Sequence, residues 1–277
     1  MAKVWPGFHA LSGGADWVRG SSLRGPLHHF GGIDACLGLE GLPQSGTGQA
    51  TLFTGVNCAA LAGRHYGPYP HSATRQTIRE HSVFQRFGHI GVAFANAYPQ
   101  RFFEWVNRTG RWPTTTRACL DADVHIRTIE DLEEGRGIAA DVTGAGLANQ
   151  LGLPVTVVPP ETAGDRLLSI ASSHGFTLME VFQTDKAGHA RSRDMAQSIL
   201  EPLDALFSHL AAVRPPELTI VLTSDHGNLE DLSVKTHTRN EVPLAVLGPG
   251  APHFRAVKDL AGVVPAMEAV LTGVVAR

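Results

Sequence analysis

The sequence predicts an α/β protein with a mostly parallel sheet that helices cover on both faces. Two observations lead to this prediction. Short apolar runs alternate with stretches of helical periodicity, and the longest apolar runs end in polar residues. Polar residues at the carboxyl end of a strand mark the edge where α/β proteins bind their ligands. A chain of 277 residues is long enough for one large domain, or for a core with a smaller insertion.

Each element is predicted from its own local pattern. Periodicity predicts helices over Ser72–Arg86, Ile129–Gly135, Pro160–Ser173, Arg191–Val213 and Val257–Val274, and aliphatic runs predict strands at His89–Ala95, Phe176–Gln183, Leu218–Leu222 and Val242–Leu247. Pro160 suits a first helical turn, where its missing N–H is not needed, and Gly135 is a typical helix stop. We expect Pro202 to interrupt the longest helix.

The middle of the chain breaks this alternation. Residues 98–159 are rich in Arg, Trp and Thr and then become acidic, which predicts a cap-like insertion. The predicted organisation is a first core segment over 1–97, the insertion over 98–159 and a second core segment over 160–277.

The most informative stretch follows the apolar run Leu218–Leu222. It reads Thr-Ser-Asp-His-Gly-Asn, which places Asp225 and His226 at the end of a strand, and a polar loop then supplies His237. Carboxylates and imidazoles are ligands that suit Zn²⁺ or Mn²⁺. For such a motif taken alone, a polar surface turn is the competing interpretation.

A second carboxylate–histidine pair follows the preceding predicted strand. If a helix begins near Asp185, His189 lies four residues later on the same face, and the two side chains can bind one cation. The alternative is that Asp185 caps the helix and that His189 is an ordinary helical residue. Because two strands end in such pairs, we predict one metal at Asp185, His189 and His237, and another at Asp225 and His226.

The third cluster is a Gly-rich loop over residues 41–55 with two hydroxyls near its centre, Ser45 and Thr47. A hydroxyl at a helix start lies close to free backbone N–H groups and to the positive end of the helix dipole, an environment that also suits phosphate. A serine there, beside a divalent cation, can lose its proton near neutral pH and attack phosphorus. A capped turn without chemistry is the other interpretation, and the loop lacks the P-loop pattern.

Taken in chain order, the three clusters resemble the alkaline phosphatase superfamily, and within it the cofactor-independent phosphoglycerate mutases and the phosphopentomutases. The resemblance rests on Asp-x-x-x-His at 185–189, Asp-His-Gly-Asn at 225–228, His-Thr at 237–238 and the string Ala-Phe-Ala-Asn-Ala-Tyr-Pro at 93–99. It implies a three-layer α/β/α sandwich of the alkaline phosphatase type with a small inserted cap region. It also implies that Ser45, rather than Thr47, is the nucleophile, and that Ser45 completes the second metal site beside Asp225 and His226.

The function that this resemblance implies is metal-dependent phosphoryl transfer, by a hydrolase (a phosphatase) or an isomerase (a phosphomutase). Ser45 would carry the phosphoryl group from a small phosphorylated metabolite to water or to a second hydroxyl. Two divalent ions, Mn²⁺ or Zn²⁺, are the implied cofactors. Arg64, Lys186 and Arg239 are candidate phosphate-binding cations, with surface charge as the alternative for each. A sulfatase is disfavoured, because Ser45 does not begin a Cys/Ser-x-Pro-x-Arg motif.

One departure from the family pattern bears on activity. Members of the superfamily open with an apolar strand that ends in Leu-Asp-Gly, and this aspartate binds the second metal. The first residues here read Met-Ala-Lys-Val-Trp-Pro-Gly, and neither Asp16 nor Asp34 follows an aliphatic run. We therefore expect the chain to lack that strand and its metal ligand. The alternative function is then that of a catalytically impaired, metal-binding family member.

Composition disfavours several kinds of partner and location. With 23 Lys and Arg against 26 Asp and Glu, the net charge is -3, so we expect binding to neither nucleic acid nor membrane. The three cysteines, Cys36, Cys58 and Cys119, have no disulfide or metal spacing, which predicts reduced thiols and a cytoplasmic protein. We find no signal-peptide pattern and no apolar segment of bilayer-spanning length. Nothing in the pattern determines the oligomeric state.

Overall fold

The computed structural model describes residues 5–275, in which one four-stranded sheet and two strand pairs are surrounded by helices. The strands are β1 (Leu23–Arg24), β2 (His28–Ile33), β3 (Val92–Phe94), β4 (Ala97–Tyr98), β5 (Arg127–Thr128), β6 (Phe176–Leu178), β7 (Ile220–Leu222) and β8 (Val242–Leu247). The α-helices are α1 (Pro6–Leu11), α2 (Ser45–Thr54), α3 (Cys58–Ala62), α4 (Arg75–His81), α5 (Val83–Phe87), α6 (Gln100–Thr109), α7 (Thr114–Asp121), α8 (Ile129–Glu133), α9 (Pro160–Ser172), α10 (Gln183–Ala190), α11 (Arg193–Val213) and α12 (Val263–Val275). Short 3₁₀ segments occupy Ser72–Thr74, Gly88–Ile90, Ala251–Phe254 and Leu260–Gly262.

The α/β class is confirmed, but the strand directions are mixed. The largest sheet has the order β1-β2-β8-β7, and all of its neighbouring strands are antiparallel. Only the pairs β3–β6 and β4–β5 are parallel, so the prediction of a mostly parallel sheet is wrong for the four-stranded sheet. The reason is the connection between β7 and β8. A parallel pair needs a crossover, usually a helix, whereas the loop over 223–241 contains no helix.

The residues of β8 show that the sheet has helices on both faces. Val242, Leu244 and Val246 pack into an apolar cluster with the first turn of α12 and the 3₁₀ segments before it. The alternate residues Ala245 and Leu247 pack instead against α1, α9 and α11. All five side chains are buried, none being more than 5% exposed. This two-sided burial gives the central strand of a three-layer α/β/α sandwich, as predicted.

A separate apolar cluster holds α2 in place. It joins Phe53 of α2 to Phe84 of α5, Phe94 of β3 and Cys119 of α7, all of them buried. Because Ser45 is the first residue of α2, this packing fixes the direction from which its hydroxyl approaches the ends of the strands.

Several predicted elements are confirmed, with boundaries set by local chemistry. The helix predicted over residues 72–86 is split at Ser82, which has extended backbone and caps α5 by accepting a hydrogen bond from Gln85 N–H. The strand predicted from His89 begins only at Val92, after a 3₁₀ turn and a left-handed Gly91 (φ 76°).

The expected interruption of the long helix at Pro202 is wrong, because α11 continues through it. Pro202 removes the N–H donor for the carbonyl of Ser198, but Ser198 is exposed and water can replace that donor. The segment over 98–159 contains α6, α7, β5 and α8. Its role as an insertion, and the boundaries at 97/98 and 159/160, stay predictions.

Candidate metal centre

Helix α10 brings Asp185 and His189 together as the sequence spacing predicts. The helix begins at Gln183, so Asp185 lies in its first turn and His189 one turn later. Asp185 Oδ2 is 3.4 Å from His189 Nε2, and both side chains are partly exposed. The two groups therefore present one carboxylate oxygen and one imidazole nitrogen on the same side of the helix.

The loop between β7 and β8 supplies the other candidate ligands. Asp225 and His226 follow β7, and the loop then doubles back so that Thr238 N–H donates to Gly227 O at 3.0 Å. This turn stacks the rings of His226 and His237, with centroids 3.7 Å apart and planes 15° apart. Both histidines are buried, at 5% and 7% exposure.

Hydrogen bonds to backbone carbonyls fix the orientation of two imidazoles. His237 Nδ1 lies 2.7 Å from Pro43 O, and His189 Nδ1 lies 2.8 Å from Lys235 O. A carbonyl only accepts, so Nδ1 carries a proton in both rings, and Nε2 carries a lone pair in each ring that is neutral. The two Nε2 atoms face each other at 3.2 Å, and His237 Nε2 is also 3.4 Å from Asp185 Oδ1. Two lone pairs and a carboxylate that converge on one point form a donor set that fits a cation.

Ser45 lies on the opposite side of His226. Its Oγ is 2.9 Å from His226 Nε2, and Asp225 Oδ2 is 3.6 Å from the same nitrogen. A Ser–His–Asp triad would instead place an acceptor on the second ring nitrogen. His226 Nδ1 is buried and has no partner among the described residues. The hydroxyl, the carboxylate and Nε2 thus meet at one point, as three ligands of one cation would.

Glycines in α2 and α10 allow these groups to approach so closely. A Cβ added at Gly48 would lie 2.5 Å from Asp225 O, so a side chain there would push α2 away from the loop. A Cβ added at Gly188 would overlap the side-chain amide of Asn228. Both positions therefore require glycine for close approach rather than for backbone conformation.

The charges of the candidate ligands are set by burial and by one another. Burial raises the pKa of Asp185, but the contact with His237 and the hydrogen bond from Asn228 outweigh this and leave a pKa of about 2. Burial lowers the pKa of His237, yet its contacts with Asp185 and with Pro43 O raise it by more. Burial raises the pKa of Asp225, which His226 only partly offsets. Asp185 is consequently ionised at neutral pH and available as a ligand.

The structure groups the ligand atoms more tightly than the sequence indicated. Atoms of Asp185, His226 and His237 all lie within 4.8 Å of one another, so the two predicted sites adjoin through the stacked histidines. His189 contacts Asp185 of this group, and its own side chain is 44% exposed. The division of these residues between two ions stays a prediction.

The three candidate phosphate-binding cations all lie at the surface. Arg64 is 5.4 Å from the ring centroid of Tyr66, and Lys186 Nζ is 5.0 Å from that of Phe182. Arg64 also lines a surface groove of about 470 Å³ that includes Gln44, the residue before Ser45. Arg239 is exposed two residues after His237. Their role in substrate binding stays a prediction.

Two residues that had no predicted role support the centre. Asn228 is buried and donates through Nδ2 to Asp185 Oδ1 at 2.5 Å. Glu230 accepts from Asn228 N–H at 2.6 Å and from the Thr238 hydroxyl, which fixes the returning loop. The asparagine in the Asp-His-Gly-Asn motif was a usable signal, whereas Glu230 has no local pattern that distinguishes it from a surface residue.

A partly buried carboxylate outside the predicted set lies between β6 and α10. Glu180 accepts hydrogen bonds from Tyr98 OH at 2.8 Å and from Thr115 Oγ1 at 2.5 Å. Asn96 holds its backbone through two bonds, to the N–H and to the C=O. Burial raises the pKa of Glu180, and Asp225 adds to this increase although the two hydroxyls oppose it. Glu180 thereby ties β4 and α7 to the strand that leads to Asp185.

Comparison with known proteins agrees with this geometry. Residues 161–271, which contain Asp185, His226 and His237, match the model of the Metalloenzyme superfamily. A 2,3-bisphosphoglycerate-independent phosphoglycerate mutase of Mycoplasmoides gallisepticum is 29% identical over 108 residues, 36% of this chain and 22% of that protein. A phosphopentomutase of Hahella chejuensis is 26% identical over 133 residues, 47% of this chain and 30% of that protein. The predicted resemblance to phosphoglycerate mutases and phosphopentomutases is confirmed.

Solved structures of the superfamily share the fold. The alkaline phosphatase of the Antarctic bacterium TAB5 superposes with a TM-score of 0.50 at 13% identity, over 88% of both chains. A mutant of the same phosphatase with Mg bound in its M3 site superposes with a TM-score of 0.52 at 12% identity, again over 88% of both chains. The chain spans less than a third of the length of the two mutases above. Within residues 5–275, no helix combines the length and apolar character needed to cross a membrane.

Proposed function

We propose that this chain belongs to a metal-dependent phosphoryl-transfer enzyme that acts on a small phosphorylated metabolite, with Ser45 as the nucleophile and two divalent cations as cofactors. The observation that carries the proposal is the pair of Nε2 atoms of His189 and His237, 3.2 Å apart and each with its Nδ1 held by a carbonyl. When both rings are neutral, two lone pairs this close are unfavourable unless a cation lies between them, and the adjoining Asp185 carboxylate adds an oxygen ligand for a metal ion.

The residues fall into two groups of ligands. Asp185, His189 and His237 would hold one ion, and the groups that meet at His226 Nε2, with Ser45, would hold the other. Mn²⁺ and Zn²⁺ both suit carboxylate and imidazole ligands. The cations would lower the pKa of the Ser45 hydroxyl and offset negative charge on the attacking and leaving oxygens.

Ser45 is better suited to attack than Thr47. Thr47 is fully buried, its hydroxyl lies 3.3 Å from Gln44 O, and the same oxygen accepts from Tyr66 N–H at 3.1 Å. Ser45 is partly exposed at the first position of α2 and faces the ligand cluster. Its Oγ would form the bond to phosphorus while the leaving alcohol takes the electron pair of the broken P–O bond. Water or a second hydroxyl of the substrate would then take the phosphoryl group, which distinguishes a phosphatase from a phosphomutase.

Metal analysis and turnover test the proposal together. Protein reconstituted with Mn²⁺ or Zn²⁺ is expected to retain metal after gel filtration, and His237→Ala to lose it. His253→Ala is the matched control, since His253 is exposed and lies in the 3₁₀ segment after β8, outside the candidate ligand set. A wild-type protein that retains no more metal than His237→Ala would refute the metal centre.

The nucleophile is tested with an aryl phosphate. Ser45→Ala is expected to retain metal but to lose turnover by at least about 10³-fold, because no other group replaces the attacking oxygen. Turnover equal to the wild type would move the nucleophile elsewhere. Metal retention by the wild type without any turnover would support the alternative of an impaired, metal-binding family member.

A further inference from the structure

The groove of about 470 Å³ lies beside the start of α2, where Ser45 is the first helical residue. The segment before the helix, at 40–44, supplies one wall, and the loop after α3, at 64–67, supplies the other. Gln44 directly precedes Ser45, and a Cβ added at Gly67 would lie 3.3 Å from Ser45 N. The groove therefore ends at the candidate nucleophile, where the part of a substrate beyond its phosphoryl group would lie.

Hydrogen bonds with Thr47 fix the second wall to α2. Thr47 N–H donates to Tyr66 O at 2.9 Å, and Tyr66 N–H donates to Thr47 Oγ1 at 3.1 Å. Thr47 is fully buried, and a Cβ added at Gly46 would lie 2.7 Å from Tyr66 O. The N–H and the C=O of Tyr66 are thus both held by the first turn of the helix that carries Ser45. The position of Tyr66 is consequently fixed relative to the candidate nucleophile.

The second wall presents a flat ring and a guanidinium to the groove. The Tyr66 side chain is partly exposed, and Arg64 Cζ lies 5.4 Å from its ring centroid. Because Arg64 is exposed, its guanidinium can move outwards and admit a planar group between itself and the phenol ring. Nucleobases bind to tyrosine rings and to guanidinium planes by stacking of this kind.

The charges of the groove favour a neutral group over a second anion. Glu40 on the first wall opposes the positive charge of Arg64 on the second, and both side chains are exposed. A carboxylate or a further phosphate therefore gains little, whereas a neutral ring with donors and acceptors along its edge can bond to Gln44 and to Glu40. Amide and carboxylate side chains are groups that bind the edges of adenine and cytosine. A ribose without a base has no planar face to stack on Tyr66.

We propose that this groove binds the nucleobase of a nucleoside monophosphate whose phosphoryl group lies at Ser45. The inference rests on the proposed phosphoryl transfer and names its substrate class. The base stacks between Tyr66 and Arg64, and its edge bonds to side chains of the first wall. The ribose spans the short distance from the groove to Ser45. Tyr66 is then a residue that determines specificity, and Thr47 positions it.

Adenosine tests the groove without metal or turnover. Titration calorimetry of the wild-type chain in EDTA is expected to show saturable binding of adenosine, with ribose at least about tenfold weaker. Tyr66→Leu should weaken adenosine binding about tenfold, whereas Tyr66→Phe keeps the ring and should retain the affinity. Tyr69→Leu is the matched control, because Tyr69 is a partly exposed tyrosine outside the groove lining. Adenosine binding no tighter than that of ribose, or an unchanged adenosine affinity in Tyr66→Leu, would overturn the proposal.

Turnover separates this proposal from the proposed function. With Mn²⁺ or Zn²⁺ present, kcat/KM for adenosine 5′-monophosphate is expected to exceed that for ribose 5-phosphate at least about tenfold, and Tyr66→Leu should lower this ratio about tenfold. Equal kcat/KM for the two substrates would overturn the nucleobase site and leave phosphoryl transfer intact. Absence of turnover with both would refute phosphoryl transfer, and the adenosine titration would then decide for or against the groove by itself.

Discussion

Replacing Gly188 with alanine should weaken metal binding without removing a ligand. The added Cβ would overlap the amide of Asn228, which donates from Nδ2 to Asp185 Oδ1 at 2.5 Å. A hydrogen bond to a charged group contributes about 1.5–3 kcal/mol, and loss of such a partner to a metal ligand typically lowers metal affinity about 10- to 100-fold. Asn228 is buried at 4% exposure, so its displaced amide has no solvent to turn towards.

The assay is a competition titration with a chromophoric chelator, made on four proteins. Gly188→Ala, Asn228→Ala and the double variant should all show the same loss, because the alanine at 188 acts only through Asn228. Gly88→Ala is the matched control: a Cβ there meets no atom within 4 Å and its φ is negative, so metal affinity should not change. Losses that add in the double variant, or a Gly188→Ala protein with wild-type affinity, would refute this reasoning.

Three other outcomes are expected. Burial raises the pKa of Asp131, but hydrogen bonds from Thr128 N–H, His125 and Arg136 leave this pKa at about 2. The ionised Asp131 carboxylate therefore stabilises the folded chain above about pH 4, and this contribution is lost as the pH falls towards 2. Asp131→Asn should therefore lower the free energy of unfolding in urea at pH 7 by about 1–3 kcal/mol and by less at pH 3; an equal loss at both would contradict this. Tyr98→Phe should lower the free energy of unfolding by about 1.5–3 kcal/mol, since the Glu180 carboxylate loses the donor that the buried Tyr98 supplies. The half-buried Tyr66→Phe should cost far less, and similar losses in the two variants would contradict this. Metal at about 100 times its Kd should raise the free energy of unfolding by about 2.7 kcal/mol, and EDTA should reverse this increase. Thermal unfolding measures the effect, and a Tm that metal does not change would contradict the prediction.

Local patterns were sufficient for the three longest helices, for β8 and for the local geometry of the candidate ligands. The spacing of Asp185 and His189 predicts a shared helix face, and α10 provides it. The aliphatic run Val242–Leu247 predicts a strand, and β8 matches it in full. β2 was not predicted, because His-His-Phe-Gly-Gly-Ile has neither alternation nor high strand propensity; it is a strand because it pairs with β8.

Long-range contacts account for what the sequence did not reveal at the site. Glu180 and Glu230 are ordinary acidic residues in the sequence, and only folding surrounds them with the hydroxyls of Tyr98, Thr115 and Thr238. The carbonyls of Pro43 and Lys235, which orient the histidines, lie 194 and 46 residues away from their partners. No window of local sequence contains such pairings.

The sequence by itself determined the kinds of candidate ligand atom, their attachment to strand and helix ends, and the resemblance to metalloenzymes, because these depend on residue type and short spacing. Tertiary structure alone decided that the rings of His226 and His237 stack, that the main sheet is antiparallel, and that, within residues 5–275, β6 pairs only with β3 and β7 only with β8. The physical reason is that strand direction and the convergence of side chains depend on contacts between residues far apart in the sequence. Local residue patterns do not specify these contacts.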